Sequence, residues 1–392
     1  MRISLLTLLP ALVICAGIDL ALLKSMRRLS VAPALRRAYT WLTALTALLV
    51  IFLIAVPKKD CSDGLLEVLT YIVFFIISQY SAKFLALIPA VLLSWRRASS
   101  KIVRWVPLAI AATVFGSMWW GTFVTRFSTN VNEVDIPLTN LPEAFNGYKI
   151  VQISDIHIAS FGHDTTFIAQ VVDEVNALKP DLIVFTGDIV TRKTSELQPF
   201  VSTLARLSAP DGVLAVKGNH DYGNYCHWPS EAHHQANNRL LDSLFAAMHW
   251  RLLTNATDTI SRGSQFITVT GVEYESMFAD EDVFARDLHK AIDLQAAKDS
   301  GCHILLYHSP QKWDQDIAAL NTFNLTLSGH THAMQMEVLG LSPAALRYDR
   351  WAGLYQHDDS YLYVNRGIGT VGFPSRIGCH PEITLLTLKS TH

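Results

Sequence analysis

The stretch PDLIVFTGD, Pro180–Asp188, runs four apolar residues, Leu182–Phe185, straight into a threonine, a glycine and a carboxylate. An apolar run this short, bounded by Pro-Asp and by Gly, reads as a buried strand. Asp188 then lies just past its carboxyl end. The same layout recurs on both sides. Ile150–Ile153 stops at SDIH, Ser154–His157, and GVLAVKGNHD, Gly212–Asp221, ends in Asn219, His220 and Asp221. HILLYH finishes at His308, and LTLSGHTH at His330 and His332. Five strands thus deliver polar side chains to one edge, the place where ligands collect in open α/β architectures. A short strand near Val131 precedes them. The tail, YLYVNRGIGTVGFPSRIGCHPEITLLTL, reads as a strand, a Gly-rich loop with Arg366 and Arg376, and a closing strand.

Carboxylates, imidazoles and an amide form the ligand set of divalent ions such as zinc, manganese or iron. No thiolate joins them, since Cys15, Cys61, Cys226, Cys302 and Cys379 form no CxxC pair. That mix points to oxygen chemistry rather than to a structural zinc. Gly187, Gly218 and Gly329 stand where the chain must leave a strand sharply, and a residue without Cβ permits that turn.

The ordered blocks DIH at Asp155, GD at Gly187, GNHD at Gly218, His308, and GHTH at Gly329 resemble the calcineurin-like metallophosphoesterase family over roughly residues 131–388. The resemblance implies a four-layer α/β/β/α sandwich. It also implies two divalent ions, manganese, zinc or iron. Asp155, His157 and His332 would hold one, Asn219, His308 and His330 the other, and Asp188 would bridge them. His220 would protonate the leaving oxygen or stabilise the transition state, with Asp221 orienting its ring. One departure stands out. The commonest membrane-linked members of the family read GHTHGGQ, whereas here Ala333, Met334 and Gln335 follow His332.

The rest of the chain has another character. Hydrophobic residues make up 50% of the 392, and nearly all long apolar runs lie before Val124. Ile3–Leu23, Thr40–Val56, a run within Leu65–Trp95, and Val106–Val124 approach the roughly 20 apolar residues that cross a bilayer. We therefore expect an α-helical membrane region of about four spans over residues 1–126, and the metallophosphoesterase domain over 131–390. Lys24, Arg27, Arg28, Arg36 and Arg37 fall between the first two spans, and Arg96, Arg97, Lys101 and Arg104 between the last two. Basic loops stay cytoplasmic. The second loop holds only Lys58 and Lys59 beside Asp60 and Asp63, so the expected location is a multi-pass plasma or inner membrane with the catalytic domain extracytoplasmic. Asp19, Glu67 and Lys83 lie in or near the apolar runs. The first two fall near span ends, and Lys83 marks a break in the long third run.

The function these features predict is metal-dependent hydrolysis of a phosphodiester, phosphomonoester or pyrophosphate bond, on a phosphorylated small molecule or a lipid-linked envelope substrate. Partners are then the bilayer and that substrate. With 32 Lys+Arg against 34 Asp+Glu, net −2, no basic field favours nucleic acid. Two alternatives stand beside this reading. One is a UDP-diacylglucosamine-type pyrophosphatase of lipid A synthesis, which an outward domain disfavours because nucleotide sugars are cytoplasmic. The other is a membrane sensor or transporter with a phosphoesterase-like binding domain. His163, His227, His233 and His234 flank the ligand blocks as candidates for substrate contact, and the segment Tyr222–Asn238 as a lid. Arg366 and Arg376 are phosphate ligands or local ion-pair partners.

Overall fold

The computed structural model describes residues 5–56, 62–96, 103–274, 301–311 and 313–391. Lys58, Lys59, Asp60, Arg97 and Lys101, which entered the expected orientation, lie outside them. The chain divides into two compact units, Met1–Thr122 with Gly372–Ser375, and Phe123–Val371 with Arg376–His392.

The first unit is helical. Its long helices are α1 (Leu5–Arg28), α2 (Pro33–Ala55), α3 (Asp63–Trp95) and α4 (Val106–Phe123). Three are long and apolar enough to cross a bilayer: Pro33–Ala55, Asp63–Trp95, and the last counted through the turn after it, Val106–Phe127. α1 is not among these three; its described part carries Asp19, Lys24, Arg27 and Arg28. Ser62 caps α3 by accepting from the Leu65 amide at 3.3 Å. The expected break at Lys83 does not occur, because α3 runs unbroken for 33 residues. Lys83 is buried against Asp19 of α1 instead, Nζ to Oδ1 at 2.8 Å. Asp19 is likewise buried rather than free at a span end, accepting from Tyr39 at 2.5 Å and Tyr80 at 2.8 Å.

The second unit holds two six-stranded sheets. One has the order β1 (Asn130–Leu138), β12 (Glu382–Ser390), β2 (Lys149–Ile153), β3 (Leu182–Phe185), β4 (Val213–Ala215) and β5 (Trp250–Leu252). The other runs β10 (Gly353–His357), β11 (Ser360–Val364), β9 (Leu325–Ser328), β8 (His303–Leu306), β7 (Gln265–Gly271) and β6 (Ala256–Arg262). β2 to β5 are mutually parallel, as are β7, β8, β9 and β11.

Alternation along the strands builds three cores. Leu182 and Val184 of β3 face the second sheet, packing with Val269, Ile304, Leu306 and Leu327. Ile183 and Phe185 face outward, onto α5 (Thr166–Ala177), α6 (Val201–Leu204) and α7 (Glu231–Ala247). Phe167, Ile168, Val171, Val172 and Val175 form the apolar stripe that seats α5 there. On the far side, Leu305, Leu362 and Val364 meet Trp313 and Ile317 of a short helical stretch. Helix, sheet, sheet, helix is thus the order of layers. Each fully buried Phe, Leu or Ile side chain contributes about 1.5–3 kcal/mol, so both sheet faces hold the strand ends firmly.

Candidate metal centre

β2, β3 and β4 are neighbours in one sheet and β8 and β9 in the other, so their carboxyl ends bring the five sequence blocks together. Asp155 lies two residues past β2, Asp188 three past β3, Asn219 four past β4, and His308 and His330 two past β8 and β9. Three overlapping groups result: Asp155, His157 and His332; His157, Asp188 and His220; Asp188, His308 and His330. Within each, the donor atoms lie within 4.8 Å of one another.

The contacts are close. His332 Nε2 stands 3.2 Å from Asp155 Oδ1 and 3.0 Å from His157 Nε2. Asp188 Oδ2 lies 3.2 Å from His308 Nε2 and 3.6 Å from His157 Nε2. On the other side, His330 Nδ1 is 2.9 Å from Asn219 Oδ1 and 3.3 Å from His308 Nε2. Asp155, His157 and His308 are fully buried. Asp188 takes the position between the two halves.

The donor atoms fit divalent ions. His308 Nδ1 donates to the Thr186 carbonyl at 2.7 Å, so Nε2 is left facing Asp188. A backbone carbonyl on the remote ring nitrogen is the usual support of a metal-binding histidine. Burial alone would lower the His308 pKa, yet the Asp188 carboxylate raises it to about 9. Burial alone would raise Asp188 and Asp155, yet His308 and His332 respectively hold them well below the usual carboxylate range. His157 and His330 go the other way, lowered first by burial and then by neighbouring imidazoles, His330 to about 4. Two anionic carboxylates thus lie among buried imidazoles, of which His157 and His330 resist protonation while His308 is held by Asp188, a donor set of the kind that takes divalent cations.

Backbone geometry marks the same residues. Asp155, His157, Asp188, His330 and His332 have φ of 48°, 42°, 60°, 73° and 52°. Non-glycine residues seldom enter this left-handed region, and such strain clusters at functional sites. At Gly187, with φ of 101°, an added Cβ would lie 2.6 Å from the Gly218 amide nitrogen and 2.7 Å from His308 Nδ1. At Gly329 it would stand 2.2 Å from Asp155 Oδ2. The role of these two glycines is therefore close approach to the ligands as much as turning.

Asp221 is placed otherwise than its sequence neighbour suggests. Its fully buried carboxylate accepts from the amides of Asp188, Ile189, Val190 and Gly218 at 2.7–3.2 Å. Burial and the nearby Asp188 charge push it up to about 7. The His220 ring is oriented instead by the Thr191 carbonyl, which accepts from Nδ1 at 2.6 Å. Asp221 pins the loop that carries Asp188.

Neither loop arginine is left to meet a phosphate. Arg366 pairs with Glu337 and Glu382, both at 2.8 Å. Arg376 is fully buried and donates to the carbonyls of Gly369, Arg366 and His380. His163, His227, His233 and His234 stay outside the three candidate metal groups. His233 Nδ1 stands 2.8 Å from Ser230 Oγ at the start of α7, and His234 donates to the Tyr222 carbonyl at 2.5 Å. Half of the expected lid, from Glu231 on, is the first turns of α7.

Two contributors carry no sequence signal of their own. Tyr225 stacks on His220, centroids 4.1 Å apart and planes 16° apart, and its hydroxyl accepts from Asn219 Nδ2 at 2.9 Å. That bond turns the Asn219 oxygen toward His330. Ser154 Oγ donates to Asp155 Oδ2 at 2.6 Å.

Residues 148–334, which contain every strand-end residue above, match the family model of the calcineurin-like phosphoesterases. The chain is 32% identical over 291 residues to the uncharacterized metallophosphoesterase YkuE of Bacillus subtilis, covering 72% of this chain and 93% of that one. A transmembrane protein with metallophosphoesterase domain from Bos taurus is 33% identical over 274 residues, 66% of this chain and 57% of that one. This chain thus spans little more than half of that mammalian relative's length. A dimetal phosphatase from Danio rerio matches 57% of this chain and 88% of its own at 11% identity and a TM-score of 0.33, too slight a likeness to carry argument. Since the Bacillus protein is matched over nearly its whole length and the strand-end residues lie inside the family model, the chain belongs to the calcineurin-like metallophosphoesterases, hydrolases of phosphoester bonds.

Proposed function

We propose that the second unit hydrolyses a phosphoester through two divalent ions, with Asp155, His157 and His332 holding one, Asn219, His308 and His330 the other, and Asp188 shared. The supporting observation is the place of Asp188 Oδ2, within 3.2–3.6 Å of imidazole nitrogens from both halves of the cluster. When bound, such a pair of ions polarises phosphoryl oxygens and brings the pKa of water toward neutrality.

The chain's own residues do the rest. Asp221 fixes the Asp188 loop, and Ser154 and the His330 amide fix the Asp155 carboxylate, the amide at 3.0–3.1 Å. His220 keeps its Nδ1 hydrogen on the Thr191 carbonyl, so Nε2 is free to carry the second proton of an imidazolium, and it is that proton which His220 would pass to the leaving oxygen. Tyr225 backs that ring.

We further propose that the helical unit crosses the membrane with the catalytic unit outside the cytoplasm. Basic residues at the end of α1 and the start of α2 support the orientation, and the relative named a transmembrane protein supports the crossing. An envelope or lipid-linked phosphoester is then the substrate class.

The test uses the full chain in detergent micelles, stripped with chelator and resupplied with manganese or zinc. Substrates are bis-p-nitrophenyl phosphate and p-nitrophenyl phosphate. We expect turnover to return with metal, and Asp188→Asn to lower it ~10³-fold, about 4 kcal/mol of transition-state stabilisation, with a matching loss of bound ions by elemental analysis. Undiminished turnover in the variant would overturn the assignment, as would none with either metal in demonstrably folded protein.

A further inference from the structure

Within the helical unit, a cavity of about 510 Å³ opens between the four long helices. Its walls are almost wholly apolar, with Leu22 of α1, Leu35 of α2, Ala86 and Ala90 of α3, and Leu108 and Ala111 of α4. That volume, with few polar groups on an apolar lining, is that of a site for a small amphiphile.

The two ends of the cavity differ. At the inner end stand Lys83 and Tyr39. Lys83 is paired with Asp19 at 2.8 Å, and its ammonium lies 4.4 Å from the Tyr80 ring centroid and 5.1 Å from that of Tyr39. With each charge matched by its partner, this end offers nothing to an ionic ligand. At the other end are Ser30, Val31 and Arg104, in the turn between α1 and α2 and just before α4. Here the helix ends are densely basic. Lys24, Arg27 and Arg28 close α1, Arg36 and Arg37 lie in the first turns of α2, and Arg104 borders the cavity itself. Along α3, the lining runs from Lys83 to Ala90, seven residue steps or about 10 Å of helix. The geometry is an apolar slot whose floor carries a matched ion pair and whose mouth is bordered by Arg104 and flanked by the basic helix ends.

We propose that this slot binds an anionic phospholipid of the surrounding bilayer, an acyl chain lying along Ala86 and Ala90 and the phosphate held at the mouth by Arg104 and the basic helix ends. Charge complementarity selects the occupant. Basic pockets between membrane helices take anionic headgroups, each basic residue contributing about fivefold in affinity, while a zwitterionic lipid gains little. The helical unit is then a lipid-binding module as well as an anchor, a property independent of how the catalytic unit works.

The experiment reconstitutes the full chain in nanodiscs of equal phosphatidylglycerol and phosphatidylcholine, returns it to detergent, and identifies the retained lipid by native mass spectrometry. One phosphatidylglycerol per chain is expected. Arg104→Ala should cut its preference over phosphatidylcholine about fivefold. Ala86→Phe fills the slot and should abolish retention; Ala111→Phe, on the half-buried wall of α4, does so with less risk to helix packing. Both variants should keep wild-type hydrolysis of the nitrophenyl ester, which separates the lipid site from the metal centre. Equal retention of the two lipids, no retention by the wild type, or an undiminished lipid in either folded Phe variant would overturn the proposal.

Discussion

Each unit buries ionisable groups, and the two do so in opposite ways. Asp19 and Lys83 sit on α1 and α3 in ordinary helical backbone, and every formal charge there is answered within the pair and by Tyr39 and Tyr80. The Asp155 and Asp188 cluster sits on left-handed backbone, and its imidazole nitrogens and its carboxylate and amide oxygens converge to within 2.9–3.6 Å of one another. The first arrangement is closed and relaxed; the second is open and strained. Burial of charge alone therefore does not mark a reaction centre. Converging metal-type donor atoms held on costly backbone do.

The largest effect should come from the one closed group inside the open region. Asp221→Ala removes the acceptor of four buried amides, each costing about 1–3 kcal/mol when left unmade. We expect a loss of about 4 kcal/mol or more in denaturant unfolding of the full chain in detergent, together with loss of bound metal, because the Asp188 loop is released. A folded variant with full metal content and a loss under about 1 kcal/mol would show that the loop holds itself, and the distinction between closed and open groups would blur.

Next comes the membrane pair. Lys83→Met leaves Asp19 buried without its counter-charge and should cost about 3 kcal/mol, whereas pairing it with Asp19→Leu should restore most of that, since a buried ion pair is often replaceable by apolar groups. Hydrolysis should be untouched in both. Should the double variant stay as unstable as the single one, the pair does more than neutralise itself, and a transport path returns to consideration.

Much of the second unit was legible in the sequence for a physical reason. Leu182–Phe185 alternates between two cores because strands have a period of two, and residues at strand ends converge whatever the details of packing. What escaped lacked a local signature. The carbonyls that orient His308 and His220 belong to Thr186 and Thr191, and a main-chain acceptor looks the same on any residue. Asp221 adjoins His220 in sequence, yet its side chain points at the amides of the neighbouring loop. Lys83 looked like an interruption because its partner lies 64 residues away. Arg366 and Arg376 on a Gly-rich loop fitted a phosphate as well as they fitted Glu337, Glu382 and the loop's own carbonyls, and only the fold chose.

The smallest effect tests the strain itself. Ala333 and Met334 stand where the GHTHGGQ pattern has its two glycines, with φ of 49° and 46°, between His332 at 52° and Gln335 at 55°. Four consecutive left-handed residues, none of them glycine, are costly, about 1–2 kcal/mol for each. They persist because neighbours hold both sides: the Gln335 side chain accepts from the Val371 amide at 2.6 Å, its carbonyl accepts from the Ile377 amide at 2.8 Å, and Ser342 donates to the Ala333 carbonyl at 2.6 Å. Ala333 is fully buried, so Ala333→Gly forfeits one methyl contact and some unfolded-state entropy while relieving the backbone. The net expectation is a gain of about 1 kcal/mol in the same unfolding assay, with metal content unchanged. A loss of that size would mean that the Ala333 methyl packs for more than its backbone costs, and the left-handed run would then be a relaxed feature of this centre instead of a strained one.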